Sequence, residues 1–182
     1  VAAVMVLLLG MGIVGSTKKL YIPVIMQKER GDEVNTKVNN TELLGSEYDE
    51  EAVCQEIEEK LGVLPVRFKY RPEGMVLTDY ILDESSGEAI LEYTVKNRIL
   101  HVFIYEKNND SSINSQKDGE TLDEVLVESC GLTVPVQQVE GSPTESYYVT
   151  TFEYLNTYYS ISSNIVEEEF QKIIENILIK NE

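Results

Sequence analysis

The chain has no tryptophan, one histidine, two cysteines and only 15 basic residues against 32 acidic ones. Each scarcity removes a class of chemistry. With one histidine, any Ser-His-Asp or Cys-His centre has to use His101. No G-x-S-x-G sequence is there to present a serine. His101 sits beside Phe103 and Tyr105 in an alternating stretch, where it reads as an ordinary half-exposed strand residue. Cys54 and Cys130 form neither a CxxC pair nor a Cys/His cluster, so zinc and thioredoxin-like patterns are excluded. Outside a membrane the two cysteines could pair; two separate buried thiols are the preferred reading. The net charge of -17 repels nucleic-acid phosphates and works against broad adhesion to anionic lipid. It leaves room for a basic partner or a metal cation, and it keeps a domain soluble. Gly-rich phosphate loops and the EF-hand pattern are also missing. The polar stretches Asn108–Asp110 and Asp118–Glu120 read as loop rather than as a calcium site. No cofactor and no metal site is therefore assigned. Carboxylates are abundant, but with no tryptophan to stack a sugar, a glycosidase-like acid pair is a poor reading. The acids of Glu47–Glu59 and Glu167–Glu169 fit solvated helix faces.

What is present begins with hydrophobic residues at 42 %, enough for a real core. The first 16 residues, Val1–Ser16, carry no charge. A bilayer span takes ~20 apolar residues, so residues 1–20 are expected to be a membrane-spanning segment cut at its N-terminal side. A signal-peptide core is the competing reading. Gly and Ser at positions 10, 12, 15 and 16 make the run a poor soluble helix. Residues 21–46 read as a linker or stalk, with the apolar Tyr21–Met26 followed by a polar stretch. A single globular domain is expected over residues 47–182.

Within it the periodicity changes twice. Val53, Ile57 and Leu61 recur every four residues and predict a helix over about 49–61. Asp49 or Ser46 caps it, Glu56 and Lys60 form an i,i+4 pair, and Gly62 and Pro65 end it. From Val66 to Ser162 the period is two. Strands are expected at 75–83, 88–96, 98–106, 122–128, 132–140, 146–154 and 157–163, with Pro135 marking an edge or bend. Val166, Phe170, Ile173, Ile174, Ile177 and Leu178 then mark one face of a C-terminal helix. Asn164 and Glu167 resemble its capping box.

The stretch from about Phe68 onward resembles an uncharacterised family, domain of unknown function 4367. The resemblance is carried by Phe68-Lys-Tyr-Arg-Pro-Glu-Gly74, by Leu91-Glu-Tyr93 and Leu100-His-Val-Phe-Ile-Tyr105, by Tyr154 with Tyr158-Tyr-Ser-Ile-Ser162, and by Val166-Glu-Glu-Glu-Phe-Gln-Lys-Ile-Ile174. Where members often carry a tryptophan, this chain carries Phe152. The resemblance implies a cytoplasmic part, one membrane span and this domain outside, which makes Val1–Ser16 the span. It assigns no catalytic residue. Some members look like anti-sigma-type membrane regulators, which implies sensing or partner binding by analogy.

The reading is therefore an α+β domain: an antiparallel β-sheet meander of about six or seven strands, with a C-terminal helix packed on one face. It is expected to be a membrane-tethered, extracytoplasmic interaction or sensor domain with no evident catalysis. Its partner would be a protein or small ligand outside the membrane, with no nucleic acid involved. The candidate partner-binding face is the tyrosine-rich last hairpin, Tyr147, Tyr148, Tyr154, Tyr158 and Tyr159; tyrosine is equally a good strand former. Two alternatives stand beside this. One is a carrier with an apolar cavity lined by residues such as Phe103, Ile104 or Phe152. The other is a hydrolase of unknown type.

Overall fold

A computed structural model describes residues 26–27, 48–107, 114–115, 120–140 and 146–179. The expected membrane span, and the linker apart from Met26 and Gln27, lie outside the described residues, within which no helix is long and apolar enough to cross a membrane. Helix α1 spans Glu50–Leu61. The Asp49 carboxylate accepts from the N–H groups of Glu51 and Ala52, and Gly62 closes the helix at φ 66°. Both ends thus form where the sequence places them. The predicted Glu56–Lys60 pair closes at 2.7 Å.

The strands are β1 (Met26–Gln27), β2 (Arg67–Phe68), β3 (Met75–Asp83), β4 (Glu88–Val95), β5 (Arg98–Glu106), β6 (Asn114–Ser115), β7 (Glu120–Val127), β8 (Leu132–Glu140), β9 (Ser146–Tyr154), β10 (Thr157–Ser163) and β11 (Ile177–Leu178). Seven of them make one antiparallel sheet in the order β3-β4-β5-β10-β9-β8-β7. The chain does not meander straight across. It runs inward through β3, β4 and β5, leaves for the far edge, and meanders back through β7, β8 and β9 so that β10 seals against β5. The last strand, β10, thus lies in the middle of the sheet beside β5, with β3 and β7 at its edges. The separate pair β1–β6 is antiparallel, with Met26 opposite Ser115.

Residues directly opposite each other share a face. The inner face carries Leu77, Leu91, Tyr93, Leu100, Val102, Ile104, Tyr159, Ile161, Phe152, Val134 and Val125, all buried. Helix α2 spans Glu167–Glu175. Phe170, Ile173 and Ile174 of α2 join Val53, Ile57 and Leu61 of α1 in one apolar cluster with that face. Both helices therefore lie on the same side of the sheet, which satisfies the stripes that neither helix could bury alone.

The C-terminal helix differs from its sequence reading at both ends. Its N-cap is Val166, with no side-chain cap bond. Asn164 is used elsewhere: its Oδ1 accepts the Ile99 N–H at 3.2 Å, and its carbonyl accepts from Arg98. The adjacent Ser163 Oγ donates to the Ile99 carbonyl and accepts the Ile165 N–H. These polar groups bind the strand-to-helix junction to β5 and so are not available to cap. At the other end the stripe outruns the helix. Asn176 ends it, and Ile177–Leu178 become a strand paired with Phe68 and Arg67. Ile177 and Ile179 remain fully buried, because an extended segment buries alternate residues as well as a helix buries its stripe.

Both edge strands are interrupted. A bulge falls between Leu77 and Asp79 on β3 and another between Thr121 and Asp123 on β7. After each bulge the aspartate accepts the next backbone N–H at 2.8 Å, from Tyr80 and Glu124 respectively. A bulged, charged edge resists pairing with a further strand.

Candidate functional site

Both helices lie on the inner side of the sheet, which leaves the opposite, outer face. Register orders it into rows. Asp83, Glu88, Tyr105, Tyr158 and Glu153 make the first. Ile81, Ile90, Phe103, Ser160 and Thr151 make the second. Asp79, Glu92, His101, Ser162 and Val149 make the third. The Phe103 and Tyr105 rings stack with centroids 6.5 Å apart and planes 21° apart. At the β3 side Ile81 is 48 % exposed. The face is thus an aromatic and aliphatic strip bordered by carboxylates, with Lys107 paired to Glu153 at one end. Asp83 is held below its ordinary pKa by hydrogen bonds from Ser85 and Ser86 in the β3–β4 turn, so it is a firm anion.

The third row contains the nearest approach to an acid–base centre. His101 Nε2 lies 3.2 Å from Glu92 Oε2, and Ser162 stands directly opposite His101 on β10. Acid, imidazole and hydroxyl therefore occupy three neighbouring strands. Two features work against acyl transfer. Ser162 is almost buried, and the backbone N–H groups around it belong to strand ladders rather than to an oxyanion hole. The sequence does not reveal this row, because Glu92, His101 and Ser162 come together only through the β4–β5–β10 strand order. Among the described residues no group of three or more His, Cys, Asp or Glu side chains is placed to hold a metal ion.

The five tyrosines of the last hairpin do not form one patch. Alternation sends Tyr148, Tyr154 and Tyr159 to the inner face and Tyr147 and Tyr158 to the outer one. Tyr148 packs on Phe170, and Tyr159 stacks on Phe152 and donates to the Leu64 carbonyl at 2.9 Å. Burial pushes the Tyr159 hydroxyl up to about 12. Tyr158 is 5 % exposed. Of the residues considered for a carrier cavity, Ile104 and Phe152 belong to the packed inner cluster, whereas Phe103 lies on the opposite face.

A second polar cluster lies where α1 meets β2. Arg67 bridges Glu58 at 3.0 Å and Glu51 at 3.2 Å, and Arg71 reaches Glu50 at 2.5 Å. The Arg67 guanidinium holds the Glu51 carboxyl below its usual range. Beneath the cluster Cys54 is a free, buried thiol pushed up to about 12 by desolvation, which makes it a poor nucleophile. Cys130, also free, lies in the β7–β8 turn. These contacts fasten α1 to β2 and to the segment that follows it.

No curated protein and no solved structure gives a significant match to the chain. The family model of the domain of unknown function DUF4367 matches residues 65–177, which include the whole seven-stranded sheet and α2. The strand order, the two-helix inner layer and the patterned outer face described above are therefore those of a chain that belongs to the DUF4367 family.

Proposed function

We propose that the chain is a membrane-tethered, extracytoplasmic binding module that recognises a cationic protein segment on the outer face of its sheet, without catalysis. The carrying observation is the one-sided packing of α1 and α2. It leaves a strip of Ile81, Ile90 and Phe103 bordered by Asp79, Asp83, Glu88, Glu92 and Glu153. Aromatic anchors inside a charged border are the usual make-up of a recognition surface. The net charge of -17 sets the sign of the partner and favours its encounter. The blunted β3 and β7 edges make strand addition a poor mode, which leaves the face. The tether is argued from the charge-free run Val1–Ser16 and from the layout the family resemblance implies. A regulatory role of the anti-sigma type fits that layout by analogy.

The test compares capture of envelope proteins by the full chain and by three variants of it. Ile81→Arg and Ile90→Arg place a positive charge in the strip, whereas Val166→Arg alters an exposed residue on the helix side. Loss of one specific, salt-sensitive protein from the two strip variants and its retention by Val166→Arg is the expected result. Equal capture by all three refutes recognition at the outer face.

A further inference from the structure

The two inner-face helices are fastened in different ways. Helix α2 is tied to the backbone of other elements at both ends. At its start Asn164 and Ser163 bind the Ile99 backbone. At its end the Asn176 carbonyl accepts the Lys69 N–H at 2.9 Å, and Ile177–Leu178 pair with Phe68 and Arg67. Helix α1 has no such seam. Among the described residues, the one backbone–backbone bond from its flanks to the sheet runs from the Tyr48 N–H to the Leu77 carbonyl at 3.4 Å. Side chains hold it otherwise: the buried stripe Val53, Cys54, Ile57 and Leu61, the ion pairs of Arg67 and Arg71 with Glu51, Glu58 and Glu50, and the Tyr80 hydroxyl, which donates to Glu56 at 2.9 Å. The ion pairs are partly exposed and so individually weak. Beneath α1 the Tyr93 hydroxyl is pushed up by burial first and then by Glu50 and Cys54, and it has no hydrogen-bond partner of acceptable geometry. The residues matched to the family begin at 65, so the sheet and α2 lie within the match and α1 lies outside it.

We infer that α1 is a releasable strap, which swings off the inner face as a unit while the seven-stranded sheet and α2 stay folded. A segment with few backbone ties and partly exposed side-chain contacts opens at lower free energy than the rest of a domain. The hinge is Gly62, at φ 66°. It separates α1 from Leu64, whose carbonyl accepts from the Tyr159 hydroxyl and so anchors the chain beyond the helix. Release exposes one apolar stripe and breaks weak ion pairs. In return it hydrates the orphaned Tyr93 hydroxyl, which offsets part of the cost. Helix α2 cannot follow without breaking the β2–β11 pair. Once α1 is off, Tyr93 is uncovered and Arg67 and Arg71 lose their carboxylate partners. In sequence, residues 1–47 lead directly into α1. A load or a partner on that segment therefore acts on the strap before it acts on the sheet. The inference does not depend on what binds the outer face.

Cys54 is a built-in reporter of release, because it is a buried thiol of α1 and the chain has only one other cysteine. The test follows modification of Cys54 by dithionitrobenzoate across a urea series. It uses the full chain carrying Cys130→Ser, or Cys130→Ala if the first folds poorly. Two substitutions separate opening of the strap from unfolding of the domain. Ile57→Val weakens the stripe of α1. Val134→Ala leaves a cavity on β8, next to the β7 edge, whereas α1 meets β3 and β4 through Tyr80 and Tyr93. Modification several-fold faster in Ile57→Val and unchanged in Val134→Ala is expected. At low urea its dependence on denaturant should be well below that of global unfolding. Equal acceleration by both substitutions, no acceleration by Ile57→Val, or a urea dependence equal to that of global unfolding overturns the inference. The urea dependence is read in the parent, so it decides the matter even if a variant does not fold.

Discussion

Tyr159 and Tyr93 undergo the same chemical change when mutated to phenylalanine, and the structure predicts opposite outcomes. Both rings are buried on the inner face. The Tyr159 hydroxyl donates to the Leu64 carbonyl at 2.9 Å. Tyr159→Phe removes that bond and leaves a carbonyl short of a partner, which costs about 1–2 kcal/mol. The Tyr93 hydroxyl is buried with no hydrogen bond of acceptable geometry. Tyr93→Phe relieves a desolvated polar atom and should be neutral or stabilising by up to about 1 kcal/mol. Urea unfolding measures both, and unchanged m-values would assign the shifts to stability. An alkaline series adds a second check. Burial holds the Tyr159 pKa at about 12, above the ordinary value of 10.0. Between these values the unfolded chain has lost a proton that the folded chain keeps, so stability falls as pH rises from 10 towards 12. The upper limit of that fall is ~1.4 kcal/mol per pH unit for one group. Tyr159→Phe should show a shallower decline than the parent. Equal destabilisation by the two substitutions, or identical alkaline slopes for the parent and Tyr159→Phe, would refute the reasoning.

Three further outcomes follow from local geometry. Leu155 and Asn156 turn the β9–β10 hairpin at φ 45° and 60°, and Leu155 is 69 % exposed. Leu155→Asn suits that conformation and should stabilise by about 0.5 kcal/mol, read as a higher urea midpoint. Arg67→Ala breaks the bridge to Glu51 and Glu58 and uncovers part of α1, and should cost about 1 kcal/mol in the same assay. Replacing both edge aspartates, Asp79→Val with Asp123→Val, removes the charges that follow the two bulges. Concentration-dependent association in sedimentation is expected, and a strictly monomeric variant would show that the bulges alone protect the edges.

Local pattern was enough wherever a segment's partners lie in its own sequence neighbourhood. The α1 caps at Asp49 and Gly62, the Glu56–Lys60 pair and the strand bounds of β3, β5, β8, β9 and β10 are all set within a few residues. Cap geometry, period two and turn chemistry act over that range, so the sequence shows them directly. The same range explains where reading stops. Asn164 has the chemistry of an N-cap, but Ile99, 65 residues away, takes its side chain. The apolar stripe of α2 continues to Leu178, yet pairing with β2, over a hundred residues upstream, turns its end into a strand.

The candidate site lies further from the sequence still. Five tyrosines crowded within 13 residues suggest a patch, and two-residue alternation divides them between a packed face and an outer one. The row of Ile81, Ile90 and Phe103 follows from two sequential hairpins, whereas Ser162 joins Glu92 and His101 only because β10 closes on β5 as well as on β9. By itself the sequence determined which segments are strands and helices, that one side of each must be buried, and that the domain is an acidic α+β sheet. Only the tertiary structure decided the strand order, the common side taken by the two helices and thus the composition of the outer face. The physical reason is that periodicity fixes which side of an element is apolar, whereas the choice of partner is a competition among long-range burials that no short window contains.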